Sequence, residues 1–422
     1  MKLKKQLAAL TLAALATTFS AGAANIESTR DWPQFHGPNR DNISHETGLL
    51  KEWPSGGPPL AWKVTGTGGG FSSVSVANGK IFTAGDEKDS SYVYALNEAD
   101  GKQLWKSKLG GVGGGGQPDR AGTRATPTVD GDLVYMIGQF GDLACYQAAD
   151  GKEVWRTNLT EKFGGKIMSK WGNSESILVD GDKVICTPGG PDGTLVALDK
   201  KTGQPVWRTK DFTDFAAYMA PVVTTIDGVR QAVVLTDRSL AGVAVADGKL
   251  LWRIDRAGKI AVIPTPVIKD NYIYVTSGYG VGCDLFKVVS DGGKFNVEKV
   301  YANTNMVNHH GGVVLVGDCI YGYSDKGGWT CQDLKTGGTK WTDQKILGKG
   351  TVSYADDLFY LRDEKTGTIV LMQASPEAHS EKGRFEQPER SRMSAWAHLV
   401  IANGHLYVRD QDEVLCFDIR GK

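Results

Sequence analysis

Three imidazoles, two indoles, one guanidinium and one carboxamide hold most of the chemistry this chain could perform. They belong to His309, His310, His398, Trp171, Trp396, Arg124 and Asn173. Most lie in three polar segments, 170–175, 305–312 and 390–398, the second enriched by Asn305 and Asn308 and preceded by Asn303. Together they are the inventory of a site for an anionic or planar ligand. A metal centre built from His309, His310 and His398 is not expected, because neighbouring strand residues point to opposite faces. No Ser-His-Asp spacing or nucleophile elbow is present. The glycine run 110–116, broken only by Val112, lacks the Gly-Lys-Ser/Thr ending of a phosphate loop, and no helix follows it. Each candidate also has a plainer reading. The histidines can cap a strand, the indoles can pack, and Arg124 can pair with Asp119 or Glu175.

The elements that must position these groups are set by a repeat. Trp105, Trp155, Trp207, Trp252 and Trp341 each stand four residues beyond the first glycine of an Asp-Gly or Thr-Gly turn. An apolar stretch such as 92–96 precedes each turn, so each unit contains a β-hairpin ending in Trp. Turn glycines at 101, 151, 203, 248 and 337 recur at about 45–52 residues, the last interval being two units with one Trp lost. A second signature, strand–polar turn–strand, lies upstream of each hairpin, as in 75–82 and 128–135. Eight units of four strands result, and this predicts an all-β, eight-bladed β-propeller. The eighth unit ends at 414–418 without a Trp strand, whereas 60–64 is a Trp strand without a hairpin. Pairing the two would close the ring and remove the open sheet edges.

Alignment of the units shows where the repeat is broken. Five residues before the inner-strand anchor stand Phe71, Arg124, Ser174, His310 and Trp396. Three before it stand Ser73, Thr126, Ser176, Thr265, Gly312, Thr351 and His398. His398 interrupts a register of small hydroxyl residues. Loops leading into inner strands surround the central funnel, so these departures mark the candidate site.

Residues 1–23 have lysines, an apolar run and a small-residue cleavage site, as a secretory signal does, with cleavage after Ala24 as the alternative. Residues 24–57 form an aromatic- and Pro-containing arm, expected as an extended strap across blades, and 58–422 the propeller. The expected location is periplasmic or secreted. Lysines and arginines balance the acids at 48 each, and losing the three signal lysines leaves about −3 without a basic block. Nucleic acid is therefore not an expected partner. No membrane span or lipid anchor is expected either. Cys145, Cys331 and Cys416 share a repeat position filled elsewhere by Ala95, Ala197 and Gly242, so the six cysteines read as small packing residues without disulfides.

The arm sequence Trp32-Pro33-Gln34-Phe35-His36-Gly37-Pro38-Asn39-Arg40 and units such as 197–207 (ALDKKTGQPVW) resemble the exported pyrroloquinoline-quinone-like (PQQ-like) repeat propellers over about residues 31–422. One branch of that family holds PQQ and calcium and oxidises alcohols or sugars. Another keeps the repeat without cofactor and binds proteins. The vicinal cysteines, long insertions and mappable calcium ligands of the first are missing, with Glu175, Asp211 and Asp214 the main carboxylates near the loops. The resemblance therefore implies a binding or scaffold propeller that takes a protein, peptide or glycan at its funnel. A PQQ- and calcium-dependent dehydrogenase is the alternative.

Overall fold

The computed structural model describes residues 30–113 and 122–421, and the expected signal, residues 24–29 and Asp119 fall outside them. Eight sheets are present among the described residues, each built on four antiparallel blade strands. Blades 1 to 7 span 75–110, 128–158, 178–208, 222–255, 267–303, 313–343 and 350–385. Blade 8 takes three strands from 400–418 and its fourth from Leu60–Val64, with Trp62 opposite Cys416 and Lys63 opposite Leu415. The expected ring closure is therefore observed. The one helix among the described residues, Leu159–Phe163, is capped by the Asn158 side chain and by Gly164.

The repeat signature acts between blades. The indole N–H of Trp62, Trp105, Trp155, Trp207 and Trp341 donates at 2.8–3.1 Å to Glu98, Ala148, Lys200, Val245 and Ser375 carbonyls of the next blade. The first four acceptors lie three residues before a turn glycine, and the ring rests on that glycine. A Cβ at Gly101, Gly151, Gly203 or Gly248 would meet indole carbons within 2.6 Å. These glycines also hold φ of +67° to +76° and close their turn by bonding back four residues. Both demands exclude a side chain. The turn is thus wider than the two-residue hairpin the sequence suggests. In blade 5 the missing Trp is Tyr301, whose hydroxyl keeps the bond, to Leu334 O at 2.8 Å.

Two junctions differ. Trp252 turns back into its own blade, donating to Gln231 Oε1 at 2.7 Å. Blade 7 carries Gly383 opposite Leu371, and Trp53 of the arm packs onto that glycine and against Tyr360 and Phe385.

The arm is more than a strap. Trp32 exchanges both backbone bonds with Val76, Pro33 O accepts from Val129 N at 2.8 Å, and Asn42 O accepts from Tyr354 N. Ile43–Ser44 then pairs in parallel with Tyr354–Ala355. Left-handed backbone at His36, Gly37, Arg40 and Asn42 turns the chain inside the channel, so residues 33–42 plug it. The expectation of an extended strap fails because four such residues reverse the path repeatedly.

All six cysteines are free and buried. Cys145, Cys331 and Cys416 each sit opposite a docking Trp. Alkylation followed by mass spectrometry should label six thiols after unfolding and essentially none before it; a disulfide-linked peptide would contradict this. Trp105→Ala should cost about 3–5 kcal/mol by chemical denaturation, the usual penalty for emptying a buried aromatic site. Deleting residues 24–66 removes plug and closing strand together, and should abolish the single cooperative melting transition.

Candidate functional site

A belt of hydroxyls organises the funnel. His398 N donates to Ser73 Oγ at 2.7 Å, Ser73 N to Thr126 Oγ1 at 3.2 Å, and Thr126 N to Ser176 Oγ at 2.9 Å. Each bond ties one inner strand to the next, which explains the small hydroxyl register. Side chains two positions earlier therefore face the axis.

There they surround a cavity of about 980 Å³, counted out to its open mouth. Phe71, Arg124, Ser174, His310 and Trp396, which share one register of the repeat, line it, as do Trp171, His309 and His398. Phe35 of the plug contributes from below. Trp171 stacks on Tyr218 with centroids 5.4 Å apart, and Trp396 leans on Phe71 at 4.7 Å. Arg124 lies over the Phe71 ring and donates to Trp171 O at 2.9 Å. It is the only formally charged side chain among the described lining residues.

His309 and His310 both reach the cavity, contrary to the expectation from strand alternation. They stand before the strand Val313–Val316, in irregular backbone, with rings 5.4 Å apart at 86°. Asn173 does not line the cavity; its amide donates to Gln139 O at 3.1 Å. Asn308 is structural as well, bonding Gly312 and Tyr323 carbonyls. Glu175 turns to Thr187, accepting from its N–H at 2.9 Å and its hydroxyl at 3.1 Å, and burial raises its carboxyl to about 7.

His398 is both wall and anchor. Its Nε2 lies 3.2 Å from His310 O, so that nitrogen carries the proton, and Nδ1 can accept from Asn42 Nδ2 at 3.4 Å. Burial holds its pKa down at about 4 and pushes His310 and His36 well below the ordinary range. All three are neutral at pH 7. His310 Nε2 stands 3.6 Å from Glu364 Oε2, which also accepts the Trp396 indole N–H at 2.9 Å. Among the described residues no cluster of three or more His, Cys, Asp or Glu could hold a metal ion.

Sequence reasoning missed two buried arginines. Arg362 reaches the carbonyls of Ala397 and Arg409, and Arg409 those of Ser72 and Gly68 in blade 1. They staple blades 7, 8 and 1 behind the candidate loops. Their signal is the repeated Tyr-x-Arg-Asp at 360–363 and 407–410.

Below pH 6.5 the unfolded histidines take up protons that the folded His398 refuses until about pH 4, so stability falls as pH drops through that window. Glu175 acts oppositely: its raised pKa stabilises the fold at low pH, an advantage lost as pH rises through about 7. Glu175→Gln should therefore steepen the loss of unfolding free energy between pH 7 and 4, measured by chemical denaturation, by on the order of 3 kcal/mol. Parallel curves for the two proteins would contradict it.

Comparison with known proteins agrees with this architecture. A family described as outer membrane protein assembly factor BamB matches residues 89–343. No curated protein matches the chain. Among solved structures, BamB from Moraxella catarrhalis is 16% identical, with TM-score 0.57, covering 86% of this chain and 98% of its own. The quinohemoprotein alcohol dehydrogenase from Comamonas testosteroni is 13% identical, with TM-score 0.62, covering 94% and 82%. A computationally designed protein, Ika8, is 10% identical, with TM-score 0.60, covering 86% and 100%. At these identities the structural likeness is one of fold. The family match extends over more than half of the chain, and on that ground this PQQ-repeat propeller belongs to the BamB-like family.

Proposed function

We propose that the chain is an exported binding or scaffold protein that holds a segment of a protein, peptide or glycan in the aromatic cavity of its funnel. The observation that carries this reading is the convergence on one cavity of Phe71, Arg124, Ser174, His310, Trp396 and His398, the residues singled out by the repeat alignment. Two aromatic pairs on different sectors of the wall provide faces for an apolar or planar group. Phe215, Ile260 and Tyr279, 37–47% exposed on loops at the same end of the blades, extend that apolar surface outward. The family's role as an assembly factor, which its name states, is compatible with a protein partner. No described helix is long and apolar enough to cross a membrane.

A PQQ–calcium site fits these residues poorly. Calcium requires several oxygen ligands, carboxylates among them, and no described lining residue carries a carboxylate or a carboxamide. Glu175 and Asp214 are engaged elsewhere, with Thr187 and with Thr236 and Ser239.

Candidate peptides and glycans can be screened by quenching of tryptophan fluorescence. For any that binds, Trp396→Ala should weaken affinity by about 1–3 kcal/mol, as loss of an anchoring aromatic does. The circular dichroism spectrum should be unchanged. His398→Ala is expected to loosen the plug as well, since that ring contacts Asn42 and His310. Normal binding by the Trp396 variant would move the site elsewhere. Dye reduction on addition of PQQ and calcium would favour the dehydrogenase.

A further inference from the structure

A second cavity lies on the opposite side of the plug and is independent of the funnel reading. It is bounded by His36, Arg40 and Asp41 of the arm and by the inner strands Val222–Ile226, Val267–Lys269 and Val313–Val316 of blades 4, 5 and 6. Its volume is about 1090 Å³ including its open mouth.

The plug fills the channel unevenly. Against blades 1, 2 and 7 it supplies backbone: Trp32 to Val76, Pro33 to Val129, and Ile43–Ser44 beside Tyr354–Ala355. On blade 3 the Arg40 guanidinium caps the carbonyls of Ser176 and Ile177. Among the described residues nothing equivalent reaches blades 4 to 6. Their inner strands pair only with the second strand of their own blade. Val223, Thr224, Val267, Ile268 and Leu315 are consequently left half-buried, whereas Ser75–Ala77 and Val400–Ala402 are fully buried. Two polar atoms at the cavity lack a partner despite burial: His36 Nε2, on a residue 4% exposed, and Thr265 Oγ1, on one 7% exposed.

Unpaired strand edges, β-branched walls and two orphaned hydrogen-bonding atoms are the complement of an extended peptide backbone. We propose that this half-channel is a strand-addition site, which takes an extended peptide segment rich in small and β-branched residues. The incoming segment pairs with an inner edge of blades 4 to 6, as the chain's own arm pairs with blade 7. Val222–Ile226 offers five residues of edge, about 17 Å of extended chain. His36 and Thr265 meet the incoming amides. A small molecule could satisfy the two polar atoms but would leave the edges unpaired.

The test uses the full mature chain and an acetyl-capped heptapeptide of alternating threonine and valine, with a fluorescent lysine at its C-terminus. Anisotropy should show saturable one-to-one binding. Methylating alternate backbone amides of the peptide should weaken it at least tenfold. Amide hydrogen exchange should slow in 222–226, 267–269 or 313–316. Thr225→Arg, at an exposed position on the edge, should weaken binding at least tenfold without altering the melting temperature. Thr265→Val, of similar shape, should weaken it by a few-fold. Equal affinity for methylated and unmethylated peptides, protection confined to other strands, or absence of saturable binding would each overturn the proposal. So would a dimer insensitive to the heptapeptide, which would mean that a second copy occupies the channel.

Discussion

Five of the eight blade junctions depend on an aromatic ring of one blade resting on a glycine turn of the next and donating a hydrogen bond to the carbonyl three residues before that glycine. The glycine satisfies a left-handed backbone and makes room for the ring, so a side chain there would displace the ring and strain the turn together. Trp and Tyr are suited to this because they bury a large apolar face while the polar tip still finds an acceptor. At blade 5 the ring changes from indole to phenol and the bond survives. Blade 7 loses its aromatic, and the arm supplies Trp53 instead. Trp53 fills that space against Gly383, Tyr360 and Phe385, but its indole N–H makes no hydrogen bond, so only the packing half of the contact is replaced.

With the blades fixed this way, the axis becomes the variable region. A closed ring of eight sheets leaves a channel whose inner strand edges are unpaired, and the arm covers about half of them. Neutral, buried histidines mark the boundary between arm and funnel: His36 lies 4.7 Å from His398, and His398 bonds the His310 carbonyl. The funnel cavity therefore has a floor built from the arm and walls built from the loops. Its shape depends on the plug as much as on the blades.

Much of the candidate site was legible because it violates a pattern. Phe71, Arg124, Ser174, His310 and Trp396 occupy one register, and one register in eight-fold pseudo-symmetry is one ring around the axis. Asn173 could not be sorted from them, since amides serve turns as readily as ligands; here it bonds Gln139. His309 was equally opaque, because alternation holds only where the backbone is a regular strand. The buried Arg362 and Arg409 had a visible repeat, but charged residues are rarely expected fully buried.

By itself, the sequence determined the blade count, the shared position of three cysteines and the pairing of 60–64 with 414–418. These follow from local turn chemistry repeated at a fixed period, and a strand lacking its hairpin has only one vacancy to fill. Only the tertiary structure decided that the arm enters the channel. Its course rests on long-range contacts: Arg40 with blade 3, Asn42 with blade 7 and Trp53 with Gly383. No periodicity encodes such contacts, because each is made once, between residues far apart in the chain.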